Sequence, residues 1–381
     1  MRFESFRFDE VTINFDRKRI PLSGKQRSER QGTYRYYGAQ GVIDYVDDYI
    51  FDGTYLLIAE DGENLKSQKQ NIAQIAKGQF WVNNHAHIVQ TNDLCDLQYL
   101  CYLINSMDLS GYITGSAQPK LSQANLNAVT LQLPLIKEQK KISSILGALD
   151  AKIELNNKIN ENLQQQAQAI YKSWFVDFEP FDGVMPKEWC NATLGGITEL
   201  ISRGIAPKYS EISDQMVINQ KCIRDHMIDL SLARFHTPKT INEKWLRFGD
   251  VLINSTGTGT LGRTAQVWFD PQNLTVDSHV TIVRPARKNL IFYIGLWSIV
   301  HEKEIESLHT GSTGQTELPR DRVKEMELLL PNDQTLNRFH AIITPMAATI
   351  ISNQAENRKL ASLRDALLPK LMNGEIELDG I

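Results

Sequence analysis

Two stretches of the 381-residue chain gather side chains suited to reading nucleic acid. The first runs from Arg19 through Lys25 and Arg27 to Tyr34-Arg35-Tyr36-Tyr37-Gly38, a basic loop leading into an aromatic, glycine-flanked turn. The second carries Arg203 and Lys208 around a Pro-containing loop, then Asn219-Gln220-Lys221. Arg and Lys reach guanine O6 and N7, Asn and Gln suit adenine N6 and N7, and either cation neutralises phosphate. Gln118 and Lys120 in one Gly-Ser loop, and Gln315 in another, add polar groups at matching places. The expected DNA contacts are thus Arg19, Lys25, Arg27, Arg35, Tyr36, Gln118, Lys120, Arg203, Lys208, Asn219, Lys221 and Gln315.

Catalytic constellations are missing by comparison. The run Gly257-Thr-Gly-Thr-Leu-Gly262 fits a dinucleotide fingerprint only if a helix follows, and Thr264-Ala-Gln-Val-Trp-Phe269 reads as a strand instead. There is no Walker A loop, Asn-Pro-Pro-aromatic tetrapeptide, His-Glu-x-x-His or nucleophile elbow. His85 and His87 would share one face of a strand, but further ligands are absent nearby, so no metal is expected. Asp44, Asp47 and Asp48 read as a solvated turn. Cys95, Cys101, Cys190 and Cys222 are scattered and read as buried free thiols.

Composition bounds the rest. Charged residues make up 23% and apolar ones 42%, an ordinary globular balance. The net charge of −4 argues against a free-standing DNA binder, yet between Arg17 and Arg35 the only acid is Glu29, and basic residues also outnumber acids from Arg203 to Lys288. No apolar run spans a bilayer and Met1-Arg2-Phe3-Glu4 does not open a signal peptide, so a cytoplasmic location is expected.

These groups are positioned by a chain that repeats itself. Gly115-Ser-Ala-Gln-Pro-Lys-Leu121 matches Gly311-Ser-Thr-Gly-Gln-Thr-Glu-Leu318, and each precedes an alternating apolar stretch ending at Pro134 or Pro331. His85-Ala-His-Ile-Val89 aligns with His279-Val-Thr-Ile-Val283, and the pairs Asn156/Asn353 and Asn160/Asn357 stand at one constant offset. Beyond each proline, apolar residues alternate in steps of 4 and 3: Leu146, Leu149, Ile153, then Leu163 and Ala167 in one copy, and Ile343, Met346, Ile350, then Leu360 in the other. This is coiled-coil spacing, interrupted in both copies by two Asn residues on the seam. The spacing predicts an antiparallel pair of helices, each about 35 residues and roughly 50 Å long, with Asn156, Asn160, Asn353 and Asn357 fixing the register. Pro369 should kink or end the second helix, with Asn373-Gly374 as its cap.

The expected fold is α+β, with an internal pseudo-two-fold repeat and two β-rich globular domains separated by the two helices. Its boundaries are a first recognition domain over 1–134, a central helix over 135–180, a second recognition domain over 181–331, and a C-terminal helix and tail over 332–381.

Over nearly its whole length the sequence resembles the specificity subunit of type I restriction-modification enzymes. The resemblance is carried by Asp44-Tyr-Val-Asp-Asp-Tyr-Ile-Phe-Asp-Gly53, Leu57-Ile-Ala-Glu-Asp-Gly62, Phe80-Trp-Val-Asn-Asn-His85, Leu133-Pro-Leu-Ile-Lys-Glu-Gln139, Lys172-Ser-Trp-Phe-Val-Asp-Phe-Glu-Pro-Phe181 and Met185-Pro-Lys-Glu-Trp189. It implies a non-catalytic chain with two target-recognition domains, each reading one half of an interrupted double-stranded DNA site. It further implies helices that set the spacer and dock methyltransferase and restriction subunits. S-adenosylmethionine, ATP and magnesium would belong to those partners, leaving this chain without a cofactor. The alternatives are the recognition subunit of a solitary or type II-like methylation system, or a protein-binding scaffold.

Overall fold

A computed structural model describes residues 1–115, 118–311 and 316–376 of the chain. The chain divides into two compact units, one of Met1–Ile153 with Arg358–Ile381, the other of Glu154–Asn357. Each unit holds one module and a stretch of both long helices, Ile136–Phe175 and Asp333–Met372. At 40 residues each, the helices are about 60 Å long, somewhat longer than the spacing alone predicts.

The first unit is built on a six-stranded sheet in the order Thr12–Asn14, Ala86–Thr91, Phe51–Ala59, Ala73–Val82, Gln31–Gly38, Gly41–Val46. The second unit repeats the first four places in the order Thr198–Arg203, Val280–Pro285, Val251–Asn254, Thr264–Gln266, again all antiparallel. A two-stranded ribbon is repeated as well. Glu4–Arg7 pairs with Thr130–Leu133 in one unit, and Cys190–Thr193 pairs with Glu327–Leu330 in the other. The duplication seen in the sequence is therefore a duplication of topology. The units differ at the far edge. The first continues through the parallel pairing of Gln31–Gly38 with Ala73–Val82, whereas the second carries a separate sheet of Arg234–Phe235, Met216–Ile218 and Leu274–Val276.

Apolar burial ties each helix stretch to its module. In the first unit Ile142 and Leu146 join Phe8, Tyr99 and Leu131 in one core with Leu371 and Met372. In the second, Phe175 lies edge-on to Phe339 at 4.8 Å and to Tyr293 at 4.9 Å, with Trp189 at 5.7 Å. Aromatic pairs in such geometry add roughly 0.5–1.5 kcal/mol each beyond area burial. The Trp174-Phe175 pair of the sequence motif is thus core packing.

Within the second unit the helices are antiparallel and in the expected register. Asn156 Nδ2 donates to Asn357 Oδ1 at 2.9 Å, and Asn353 Nδ2 donates to Asn160 Oδ1 at 2.9 Å. Asn156 and Asn160 are buried, so the amides lie on the seam. In the first unit, Arg364 of the same heptad stripe donates to Asp150 Oδ1 at 2.8 Å.

Two expectations need correction. The second helix runs through Pro369 to Met372, because a proline this close to the end removes only one hydrogen bond of the last turn. Gly374 then caps it at φ +73°, where a Cβ would meet the Phe3 ring at 3.0 Å. Among the thiols, Cys190 is exposed rather than buried. Burial pushes the other three up, Cys95 and Cys101 to about 12 and Cys222 to about 11, so they stay protonated and inert.

Candidate nucleic-acid interface

The basic loop of the first unit folds on a short helix, Gly24–Glu29, started by a capping box: Ser23 Oγ accepts from Gln26 N and Gln26 Oε1 accepts from Ser23 N at 2.8 Å. The helix places Arg27 against the edge strand Gly41–Val46. There its Nε donates to Asp44 Oδ2 at 2.8 Å, Nη1 donates to the Leu22 carbonyl, and the guanidinium sits 5.2 Å from the Tyr36 ring centroid. Arg30 similarly meets Asp47 at 2.8 Å and lies over Trp81. The acids expected as a solvated turn are therefore the counter-charges of the basic loop. The cationic excess counted along the sequence is largely offset in space.

Tyr36 is fully buried, and its hydroxyl accepts from Leu22 N at 2.8 Å. It cannot offer a ring to a base, which corrects its assignment as a contact. Arg19 is likewise an internal residue: it donates to the Asp16 and Ala86 carbonyls at 3.0 and 2.6 Å and to Glu60 Oε2 at 2.8 Å. Lys25 is exposed, 4.0 Å from Glu29, and Arg35 is exposed on the strand Gln31–Gly38.

A second cluster of the first unit gathers around the Gly-Ser loop. The loop is closed by Thr114 and Lys120, whose backbones bond reciprocally at 2.9 and 2.8 Å. Gly115 turns it at φ +85°, where a Cβ would strike the Gln118 carbonyl oxygen at 2.3 Å. Gln118 is exposed, and Lys120 Nζ reaches Glu60 Oε1 at 3.2 Å. Behind them lies a buried network. His87 Nδ1 meets Asp16 Oδ2 at 2.6 Å and its Nε2 meets the Leu121 carbonyl at 2.8 Å. Burial alone would raise the Asp16 carboxyl. Hydrogen bonds from His87 and Ile88 N and the Arg19 charge outweigh it and hold the group below its ordinary value. Glu60 is held low in the same way, with Arg19 and Lys120 opposing desolvation. His85 sits apart, its Nδ1 on Asp61 Oδ2 at 2.7 Å, so the two histidines share no ligand position.

The second unit forms the equivalent arrangement. Thr310 and Glu317 close its loop, and Glu317 takes Arg203 at 2.8 Å. Arg203 also donates to the Leu318 carbonyl. Gln315 lies outside the described residues. Asn219 spends both side-chain groups locally, accepting from Lys221 N at 2.9 Å and donating to the Leu232 carbonyl at 3.2 Å. It acts as a turn cap, and free adenine-reading geometry is lost. Lys208 and Lys221 are exposed. Gln220, which precedes Lys221 in sequence, accepts at Oε1 from Thr256 Oγ1 at 3.1 Å, and the same hydroxyl bonds His279 Nδ1 at 2.8 Å. The Gly257–Gly262 stretch is a turn leading into the strand Thr264–Gln266, as expected. Gln220 lies in the amide-bearing stretch read from sequence, whereas Thr256 and His279 carry no such signal beyond the alignment of His85 with His279 in the repeat.

Among the described residues no group of three or more His, Cys, Asp or Glu is gathered to hold a metal ion, and no helix is long and apolar enough to cross a membrane.

Comparison with known proteins gives one consistent answer. Residues 2–165 match the type I restriction modification DNA specificity domain. The chain is 29% identical over 337 residues to the type I restriction enzyme MjaIX specificity subunit of Methanocaldococcus jannaschii, covering 80% of this chain and 75% of that one. It is 26% identical over 355 residues to a putative type I restriction enzyme specificity subunit of Haemophilus influenzae, covering 88% and 86%. The crystal structure of a type I restriction-modification S subunit from M. genitalium superposes with a TM-score of 0.61 at 14% identity, over 97% of this chain and 96% of that one, which establishes a shared fold.

Proposed function

We propose that this chain, which belongs to the specificity subunits of type I restriction-modification enzymes, recognises a bipartite DNA site, one half with each module. The observation that carries the reading is the duplication of topology: the same four-strand order, ribbon and Gly-Ser loop occur once in each unit. Two modules on one scaffold but with different loop side chains fit two half-sites of different sequence. Of the residues named from sequence, Lys25, Arg35, Gln118, Lys120, Lys208 and Lys221 remain exposed and are the proposed contacts. Their ammonium and guanidinium groups would meet phosphates or guanine edges.

As a non-catalytic subunit of its complex, the chain would dock methyltransferase subunits and restriction subunits on its paired helices. Those partners would supply S-adenosylmethionine, ATP and magnesium, in the cytoplasm where foreign DNA arrives. The antiparallel helices would set the spacer between half-sites, with the Asn layer holding their register. A mobility-shift titration of the chain co-purified with its methyltransferase subunits tests the reading. Binding to a target duplex should weaken steeply with salt, as counterion release requires. Salt-independent binding, or none, would speak for a protein scaffold.

A further inference from the structure

We propose that His85 and His279 are equivalent DNA contacts, one in each module; the inference rests on the DNA-recognition reading above and adds a site to it. Each histidine immediately precedes the same strand of the repeated sheet, Ala86–Thr91 or Val280–Pro285. Each has its Nδ1 tied to a residue two places beyond the end of the neighbouring strand: Asp61 at 2.7 Å, Thr256 at 2.8 Å. Each of those partners precedes a glycine with left-handed φ, Gly62 at +114° and Gly257 at +104°, and bridges to the Gly-Ser loop, at Lys120 or at Glu317.

The surroundings have diverged while this arrangement has not. Behind it, one module holds the half-buried Glu60 and the buried His87, whereas the other buries Ser255 and Thr281, hydrogen-bonded at 2.6 Å. Even the tether changes from a carboxylate to a hydroxyl. What recurs is an imidazole with Nδ1 fixed and Nε2 left over. Asp61 can only accept, and Thr256 gives its own proton to Gln220, so in both modules Nδ1 carries the hydrogen. No described residue bonds either Nε2.

Folding does not account for such a group. The His85 side chain is 49% exposed, and an ion pair so exposed contributes little stability. The nearby acids are satisfied internally, Glu60 by Arg19 and Lys120, and Glu317 by Arg203. The node therefore presents outward an exposed imidazole edge; Lys120 bridges to its tether in one module, and in the other the tether holds Gln220, which precedes the exposed Lys221 in sequence. Neutral, Nε2 accepts from the amino group of cytosine or adenine; protonated, it donates to a phosphate oxygen. Both uses belong to one ligand, a DNA duplex.

The test uses the full chain co-purified with its methyltransferase subunits, titrated with its methylated target duplex and with a scrambled duplex at several salt concentrations. His85→Ala and His279→Ala should each weaken target binding about tenfold, the worth of one charge-assisted hydrogen bond. His85→Asn and His279→Asn, whose shorter amide can keep the Nδ1 tether but places no group where Nε2 stands, should weaken binding likewise at an unchanged melting temperature, which separates loss of contact from loss of fold. Uniform weakening on both duplexes with a shallower salt slope would assign a phosphate, and relaxed discrimination at one position a base edge. If the wild-type complex does not distinguish target from scrambled DNA, the recognition reading itself fails. If it does, and all four variants bind like it, the histidine proposal alone is overturned. Intact DNA binding with loss of the methyltransferase subunits would also overturn it, marking a protein contact instead.

Discussion

Asn156 donates to Asn357 across 201 positions of sequence, one amide facing another on the helix seam. The layer is not fully satisfied. Asn156 Oδ1 is buried without a partner, while its Nδ2 is shared between Asn357 and Glu356. A half-satisfied buried amide costs stability and is retained where register matters more. Replacing Asn156 and Asn357 together by Leu should therefore stabilise the chain by about 1–2 kcal/mol, seen as a higher denaturation midpoint. The same variant should show mixed species in size-exclusion chromatography as register loosens. A lower midpoint would mean that the amide bonds outweigh their desolvation.

Much of this was legible in the sequence, and the part that was not has a definite cause. The repeat and the helix seam follow from period and register, which any single chain displays; the Asn layer lies where alternating 3 and 4 spacing puts it. The charge state of the basic loop depends on pairing across space. Arg27 meets Asp44 seventeen positions away, through a strand register that composition does not reveal. Tyr36 was misread because Tyr-Arg-Tyr-Tyr carries aromatic residues on both faces of a strand, so alternation does not say which face is buried. Arg19 was misread because its acceptors include two backbone carbonyls, which have no sequence signature.

Lys25 and Arg27 should part company under mutation. Arg27→Ala removes two hydrogen bonds and the contact with the Tyr36 ring, and should destabilise the first unit by about 1–3 kcal/mol. Lys25→Ala should leave the melting temperature unchanged and reduce the salt slope of DNA binding by about one unit. Equal loss of stability in both variants would contradict this division.

Asp250 and Arg284 form a two-bonded ion pair in the second unit, at 2.8 and 2.7 Å, with both side chains almost wholly buried. Burial raises the Asp250 carboxyl above its ordinary value despite the Arg284 bonds that oppose it. Arg284→Met leaves that carboxylate without its counter-charge and should cost about 3–5 kcal/mol. Arg284→Met combined with Asp250→Leu should recover most of the loss in urea denaturation; a double variant as weak as the single would show that the pair contributes more than its own neutralisation.

Acid should loosen the first unit. Asp16 and Glu60 have lowered folded-state values, so the stability they contribute is present above the unfolded carboxylate values, about 4, and is lost as pH falls through the folded values. Thermal melts should decline on going below about pH 4, and Asp16→Asn with Glu60→Gln should flatten that decline. A wild-type profile as flat as that of the variant would exclude the network as its source.

The central claim is that one chain carries two separate DNA readers. Its most direct test is to express the chain with its methyltransferase subunits, sequence the host methylome, and repeat after exchanging residues 1–134 for the corresponding module of another family member. The account predicts an interrupted motif in which the exchange alters one half and leaves the other half unchanged. A contiguous motif, or an exchange that alters both halves, would contradict it.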